Sequence, residues 1–168
     1  MKKIISALFF AVLTLLLTSC GGEEVSVTPV TRGISFTAEL TYYNENYEAA
    51  VTVSENGETV MEITYPDNIK GLTFKFNGEE VTAEFAGLEY KTDFKAFSEG
   101  ACCMRLYEIL KDTFNENSSV IKEGDNYCIS GQSGDISYKM YLGGAGLPIS
   151  AGDSGGFTVN FKNVTILK

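Results

Sequence analysis

The chain contains no histidine. Serine and cysteine nucleophiles usually take their general base from an imidazole, so Ser-His-Asp and Cys-His machinery is excluded. Histidine-containing zinc sites go with it, and the four cysteines, Cys20, Cys102, Cys103 and Cys128, show no zinc-ligand spacing. No metal and no cofactor is expected. Positive charge is scarce: 13 Lys and Arg face 22 Asp and Glu, for a net charge of −9, and Arg32 and Arg105 are the only arginines. Such a chain repels phosphate backbones, which excludes nucleic acid as a partner. The Gly143-Gly144-Ala145-Gly146 stretch lacks a following Lys-Ser/Thr and is no phosphate loop. The one long apolar run, Ile4 to Leu17, is shorter than the ~20 residues of a spanning helix.

One string looks catalytic. Ala151-Gly152-Asp153-Ser154-Gly155-Gly156-Phe157 is similar to the stretch around the nucleophilic serine of chymotrypsin-like proteases. There is no imidazole to take the serine proton, nothing nearby marks a desolvated lysine, and the chain is too short for a double barrel. Gly, Asp and Ser are turn-forming residues, and the string lies between two strand-like segments. It reads as a loop, and no catalytic residue is assigned. The many carboxylates fall mostly at alternating outward positions, where they solvate a sheet face.

The N-terminus carries an export signal: basic Met1-Lys2-Lys3, the apolar run, then Leu17-Thr18-Ser19-Cys20. That ending resembles a bacterial lipobox, which implies cleavage before Cys20 and acylation of its sulfur and amine. Residues 1–19 are then signal peptide, 20–32 a lipidated tether, and 33–168 a single domain. Each buried acyl CH₂ contributes ~0.8 kcal/mol of membrane affinity, so the anchor comes from lipid rather than from a basic patch. The location implied is extracytoplasmic, on the cell membrane or on the outer membrane of a host that has one. Of the other cysteines, Cys102 and Cys103 are neighbours whose mutual bond would be strained. A Cys103–Cys128 bridge is one option in an exported compartment. The alternative is that all three are free, small buried hydrophobes.

Beyond the tether the pattern has a period of two. Ile34, Phe36, Ala38, Leu40 and Tyr42 alternate with polar residues, as do Tyr47, Ala49, Val51 and Val53. Asn44-Glu45-Asn46, Asn56-Gly57 and Asn77-Gly78 supply turns. Met61, Ile63 and Tyr65 stop at Pro66, then Leu72-Phe74-Phe76 and Val81-Ala83-Phe85 resume. Between Phe94 and Phe114 the period changes. Cys103, Leu106, Tyr107, Leu110 and Phe114 follow i, i+3, i+4, i+7, i+11, an amphipathic helix whose start is moved later by Gly100. Asn115-Glu116-Asn117 ends it. Strands return at Tyr127-Ile129, Ile136–Leu142, Phe157–Phe161 and Val164-Ile166. The expected fold is α+β and mainly β: one curled antiparallel sheet of about nine to eleven strands, with one main helix over its concave face.

That layout resembles the LolA-like half-barrel lipoprotein superfamily, which includes LolA, LolB and LppX-like proteins. The resemblance rests on the meander "ISFTAELTYYNENYEAAVTVSENGETVMEITYP", the strand-proline-strand passage "MEITYPDNIKGLTFKFNGEEV", the helix after it, and the closing "SYKMYLGGAGLPISAGDSGGFTVNFKNVTIL". It implies a concave face that holds acyl chains or another apolar ligand. Phe36, Leu40, Phe74, Phe76, Phe85, Phe157 and Phe161 would line it, with Met104, Leu106 and Leu110 as lid. The function implied is a membrane-anchored, non-enzymatic lipoprotein binding a lipid or apolar small ligand. The alternatives are an envelope interaction or sensor module with a packed interior and a protein partner, and, least supported, a hydrolase.

Overall fold

A computed structural model of the chain describes residues 27–96, 101–114, 119–133 and 136–168. The signal segment, Cys20, Gly100 and the Asn115–Asn117 exit lie outside them. Eleven strands form one sheet: β1 (Ile34–Tyr42), β2 (Glu45–Val53), β3 (Thr59–Tyr65), β4 (Thr73–Phe76), β5 (Glu80–Phe85), β6 (Leu88–Asp93), β7 (Val120–Glu123), β8 (Asn126–Ser133), β9 (Ile136–Leu142), β10 (Pro148–Asp153) and β11 (Thr158–Ile166). Their order is β6-β5-β4-β3-β2-β1-β11-β10-β9-β8-β7, antiparallel throughout. The sheet curls without closing, so β6 and β7 are its two free edges. The chain crosses from one edge to the other through α1 (Cys102–Thr113). That connection carries the one long helix among the described residues, and it packs against the sheet's concave face.

The strands form where the sequence alternates. β1 buries Ile34, Phe36, Ala38, Leu40 and Tyr42 and turns Glu39 to solvent. Short turns set the register. The first falls at Tyr43-Asn44, both with positive φ, rather than at Asn44–Asn46, so β2 starts at Glu45. Ala86-Gly87 makes the same kind of two-residue turn between Phe85 and Leu88, matching the strands' right-handed twist. β1 pairs with β11, Leu40 opposite Val159 and Ala38 opposite Phe161, which joins the two meanders into one sheet.

The helix starts later than Phe94. Phe94–Ala96 forms only a 3-10 turn, and α1 begins at Cys102 after Ala101, which offers no side-chain cap. Its inner face buries Cys103, Met104, Leu106, Tyr107, Ile109 and Leu110. Tyr107 stacks on Phe76 of β4 with ring centroids 4.4 Å apart, and Phe94 meets Tyr107 edge-on at 5.3 Å. Lys111 Nζ donates to the Gly78 carbonyl at 3.2 Å, and Arg32 lies over the Phe114 ring at 4.7 Å. The helix is therefore fixed along one side and at its C-terminal end.

The three cysteines outside the signal region are free thiols. Cys103 lies on the helix within the core, whereas Cys128 is the cross-strand partner of Tyr141 and Ile121, on the face opposite its inward neighbour Ile129. The Cys103–Cys128 bridge is thus not formed, because the sheet separates the two thiols. Cys102 and Cys103 sulfurs are 4.0 Å apart. Hydrogen bonding from Cys103 holds the Cys102 thiol below its usual range, and the same contact together with burial pushes Cys103 up.

The stacked pair sets a stability prediction. Phe76→Ala removes a fully buried ring and the platform under Tyr107, and should cost about 3–5 kcal/mol in chemical denaturation. A loss below about 1 kcal/mol would show that α1 is not packed on β4 in solution.

Candidate functional site

Nine of the ten residues expected to line a ligand pocket pack into one core: Phe36, Leu40, Phe74, Phe76, Met104, Leu106, Leu110, Phe157 and Phe161. Phe36 meets Phe161 edge-on at 5.0 Å, and Phe74 stacks near Phe76 at 6.2 Å. Phe85 is the exception, 41% exposed.

Phe85 belongs to a part of the concave face that the helix does not reach. Concave residues are paired across the strands: Met61 with Phe74, Phe74 with Ala83, Ala83 with Tyr90, and Phe85 with Leu88. Leu72 continues the row, its carbonyl accepting from the Ile63 N–H at 2.9 Å. From buried Ile63 and Phe74 the apolar surface therefore runs outward through Leu72 and Ala83 to the β6 edge. There Leu88 is 76% exposed and Tyr90 63% exposed, with Tyr65 at the end of β3 50% exposed. An apolar strip of this kind on the inner face of a sheet is unusual, because the inner face is the side a helix or second sheet normally covers. Sequence reasoning does not single out Leu88 and Tyr90. Their alternation with Glu89 and Lys91 marks a strand face, but not how far the helix extends over it.

The other end of α1's contact is polar. Tyr138 Oη of β9 donates to Asp112 Oδ2 of the helix at 2.5 Å. A Cβ on Gly131, directly across from Tyr138, would collide with both groups, so that position needs glycine. Two residues before Tyr107 on the helix, Arg105 lies near Glu108 at 3.4 Å and near Asp153 at 3.6 Å, with Asp153 almost wholly buried. The second contact is ionic only, because Arg105 Nε makes no hydrogen bond.

Asp153 explains the protease-like string. Its Oδ1 accepts from the Gly155 N–H at 2.7 Å and the Phe157 N–H at 3.0 Å, closing the loop on itself. Its other oxygen faces Arg105. Ser154 is exposed, and its backbone N–H donates to the Ser137 carbonyl at 2.9 Å. Among the described residues no side chain hydrogen-bonds the Ser154 hydroxyl. The string holds the loop before β11 and links it to the helix, with Asp153 rather than Ser154 as its central residue.

No protein-family model and no curated protein sequence matches the chain. Solved structures superpose on it at low sequence identity. An uncharacterized conserved protein from Thermus thermophilus superposes with a TM-score of 0.52 at 10% identity, over 83% of this chain and 81% of that one. The LolA superfamily protein NE2245 from Nitrosomonas europaea gives a TM-score of 0.45 at 8% identity, over 87% of this chain and 91% of that one. The likeness is one of fold alone.

Two outcomes test the polar end. Asp153→Ala strips two backbone donors of their acceptor and leaves the buried Nε side of Arg105 without its carboxylate, with Glu108 as its remaining partner. It should cost about 3 kcal/mol of stability, whereas Ser154→Ala should stay within ~0.5 kcal/mol. Equal effects in urea unfolding would contradict the assignment. Burial, then hydrogen bonding to Asp112, raises the Tyr138 phenol well above its ordinary range. The native state holds this proton after the unfolded state has lost it. The contribution is therefore full below about pH 10 and is lost as pH rises further. Tyr138→Phe should flatten the fall in stability between about pH 10 and pH 11.5, measured by urea midpoints; an unchanged slope would contradict the linkage.

Proposed function

We propose that this chain is a lipid-anchored, extracytoplasmic protein of a bacterial envelope that binds a lipid or other apolar ligand at the open end of its half-barrel. The observation that carries the reading is the strip Tyr65, Phe85, Leu88 and Tyr90, exposed on the concave face and continuous with the buried core through Leu72, Phe74 and Ala83. An acyl chain laid along it would extend the core outward, gaining about 25 cal/mol for each Å² of apolar area removed from water. Binding of this kind uses burial and needs no chemistry. Anchoring through Cys20 would hold the domain within reach of the membrane that supplies the ligand.

A second reading, an envelope interaction module that meets a protein partner, is favoured by one observation. The nine other candidate lining residues are buried in one cluster together with the inner face of α1. In that reading the same strip and the free β6 edge would be covered by a polypeptide.

The readings separate experimentally. Native mass spectrometry of protein prepared without detergent should show co-purifying lipid, and a fluorescent fatty acid should bind saturably. Leu88→Glu and Tyr90→Glu, at exposed positions, should each weaken that binding by about tenfold or more while leaving the fold intact. A clean apo mass with no fatty-acid uptake, and capture of one stoichiometric envelope protein lost in the same variants, would replace the first reading with the second. Cys20→Ser should abolish incorporation of radiolabelled palmitate and release the chain from the membrane fraction; persistence in both would contradict the anchor.

A further inference from the structure

We propose that the convex face of the sheet, opposite α1, carries a binding groove for a neutral saccharide. The groove crosses β8, β9 and β10, has a volume of about 710 Å³ and opens to solvent. That size falls within the range of small-molecule sites. Register places its side chains on one face: Ser130 opposite Lys139, Gln132 opposite Ser137, and Gly152 opposite Lys139 from the other side. Tyr138, between Ser137 and Lys139, points the other way to Asp112 in the concavity. Gly152 leaves the β10 side of the groove without a side chain, and Ser154 closes its far corner.

The chemistry of the lining selects the ligand. Its uncharged polar side chains on this face are hydroxyls and an amide: Ser130, Ser137, Ser154 and Gln132. Asp153 also borders the groove, but it pairs across the strands with inward-facing Tyr138, and its carboxylate is taken up by the Gly155 and Phe157 N–H groups and Arg105. Among the described residues, the side chains of Gln132, Ser137 and Ser154 make no hydrogen bond and so remain available as donors and acceptors. The one cation is already matched, because Lys139 Nζ donates to Glu123 Oε1 at 2.9 Å. With that charge neutralised and a chain at −9 overall, an anion gains little here. No large aliphatic side chain lines the groove, which disfavours an acyl chain. Tyr141 adds a half-buried aromatic ring at one end, suited to the C–H face of a pyranose, while hydroxyls and amide meet the sugar's own hydroxyls. The floor is solid: Cys128, the cross-strand partner of Tyr141, is fully buried although it lies on the convex side. All these groups except Ser154, which lies in the turn after β10, stand on paired strands, so the arrangement is largely formed before a ligand arrives.

The site shares no side chain with the concave strip, so either can fail without the other. The test is saturation-transfer-difference NMR on the full-length chain in lipid nanodiscs, with cellobiose, lactose, chitobiose and glucuronic acid as probes. At least one neutral disaccharide should give a saturable signal. Tyr141→Ala and Gln132→Ala should each weaken it by about tenfold. Far-UV circular dichroism confirms that the variants are folded, and Gln132 is exposed enough that its truncation leaves the strand intact. Absence of a saturable signal from all four probes would overturn the proposal. So would a signal from glucuronic acid alone, or binding unchanged in both Tyr141→Ala and Gln132→Ala.

Discussion

The contact between α1 and the concave face keeps the inner surface of a curled sheet out of water. Eleven strands are too many to remain an open flat sheet, and these curl without pairing their two edges. The concave face is covered instead by twelve residues of helix. Its apolar side rests on Phe76 through Tyr107, while its polar flank is tied down by Asp112 to Tyr138 and by Arg105 to Asp153. A helix of this length covers the middle of the concavity and no more. The exposed strip at β6 follows from that shortfall, and with it the functional reading.

The sheet was legible in the sequence to the extent that burial obeys period two. β1, β2, β3 and β9 each alternate cleanly, and their inward residues are the core. β7 was not legible, because Val120-Ile121-Lys122-Glu123 is a four-residue edge strand whose apolar pair is adjacent, not alternate. The helix face was readable from Cys103, Leu106, Tyr107 and Leu110, but its start was not. Phe94 looks helical by spacing yet packs edge-on against Tyr107 from a 3-10 turn. Cys128 shows a different limit. Alternation with Ile129 puts it on the outer face, and burial on that face depends on neighbouring strands that local sequence does not reveal.

The candidate site was less legible than the fold, for a physical reason. Which apolar residues are core and which are available surface depends on where a covering element ends, a tertiary property. Phe76 and Phe85 look alike in sequence, but one lies beneath Tyr107 and the other beyond the helix. The Gly-Asp-Ser-Gly-Gly string misleads in the opposite direction. Its residue types match a catalytic pattern, yet the geometry makes Asp153 a loop closure and a counter-charge for the helix. The second role depends on Arg105 of α1, which only the fold brings opposite that loop.

The central claim is that an apolar ligand occupies the end of the concave face that α1 leaves uncovered. Paramagnetic broadening of backbone amides by a spin-labelled stearate addresses it most directly. The account predicts saturable broadening centred on Phe85, Leu88 and Tyr90 that fades toward Met140 and Ala151 beneath the helix. Broadening centred on the convex residues Ser137, Lys139 and Tyr141, or none at stoichiometric stearate, would contradict it.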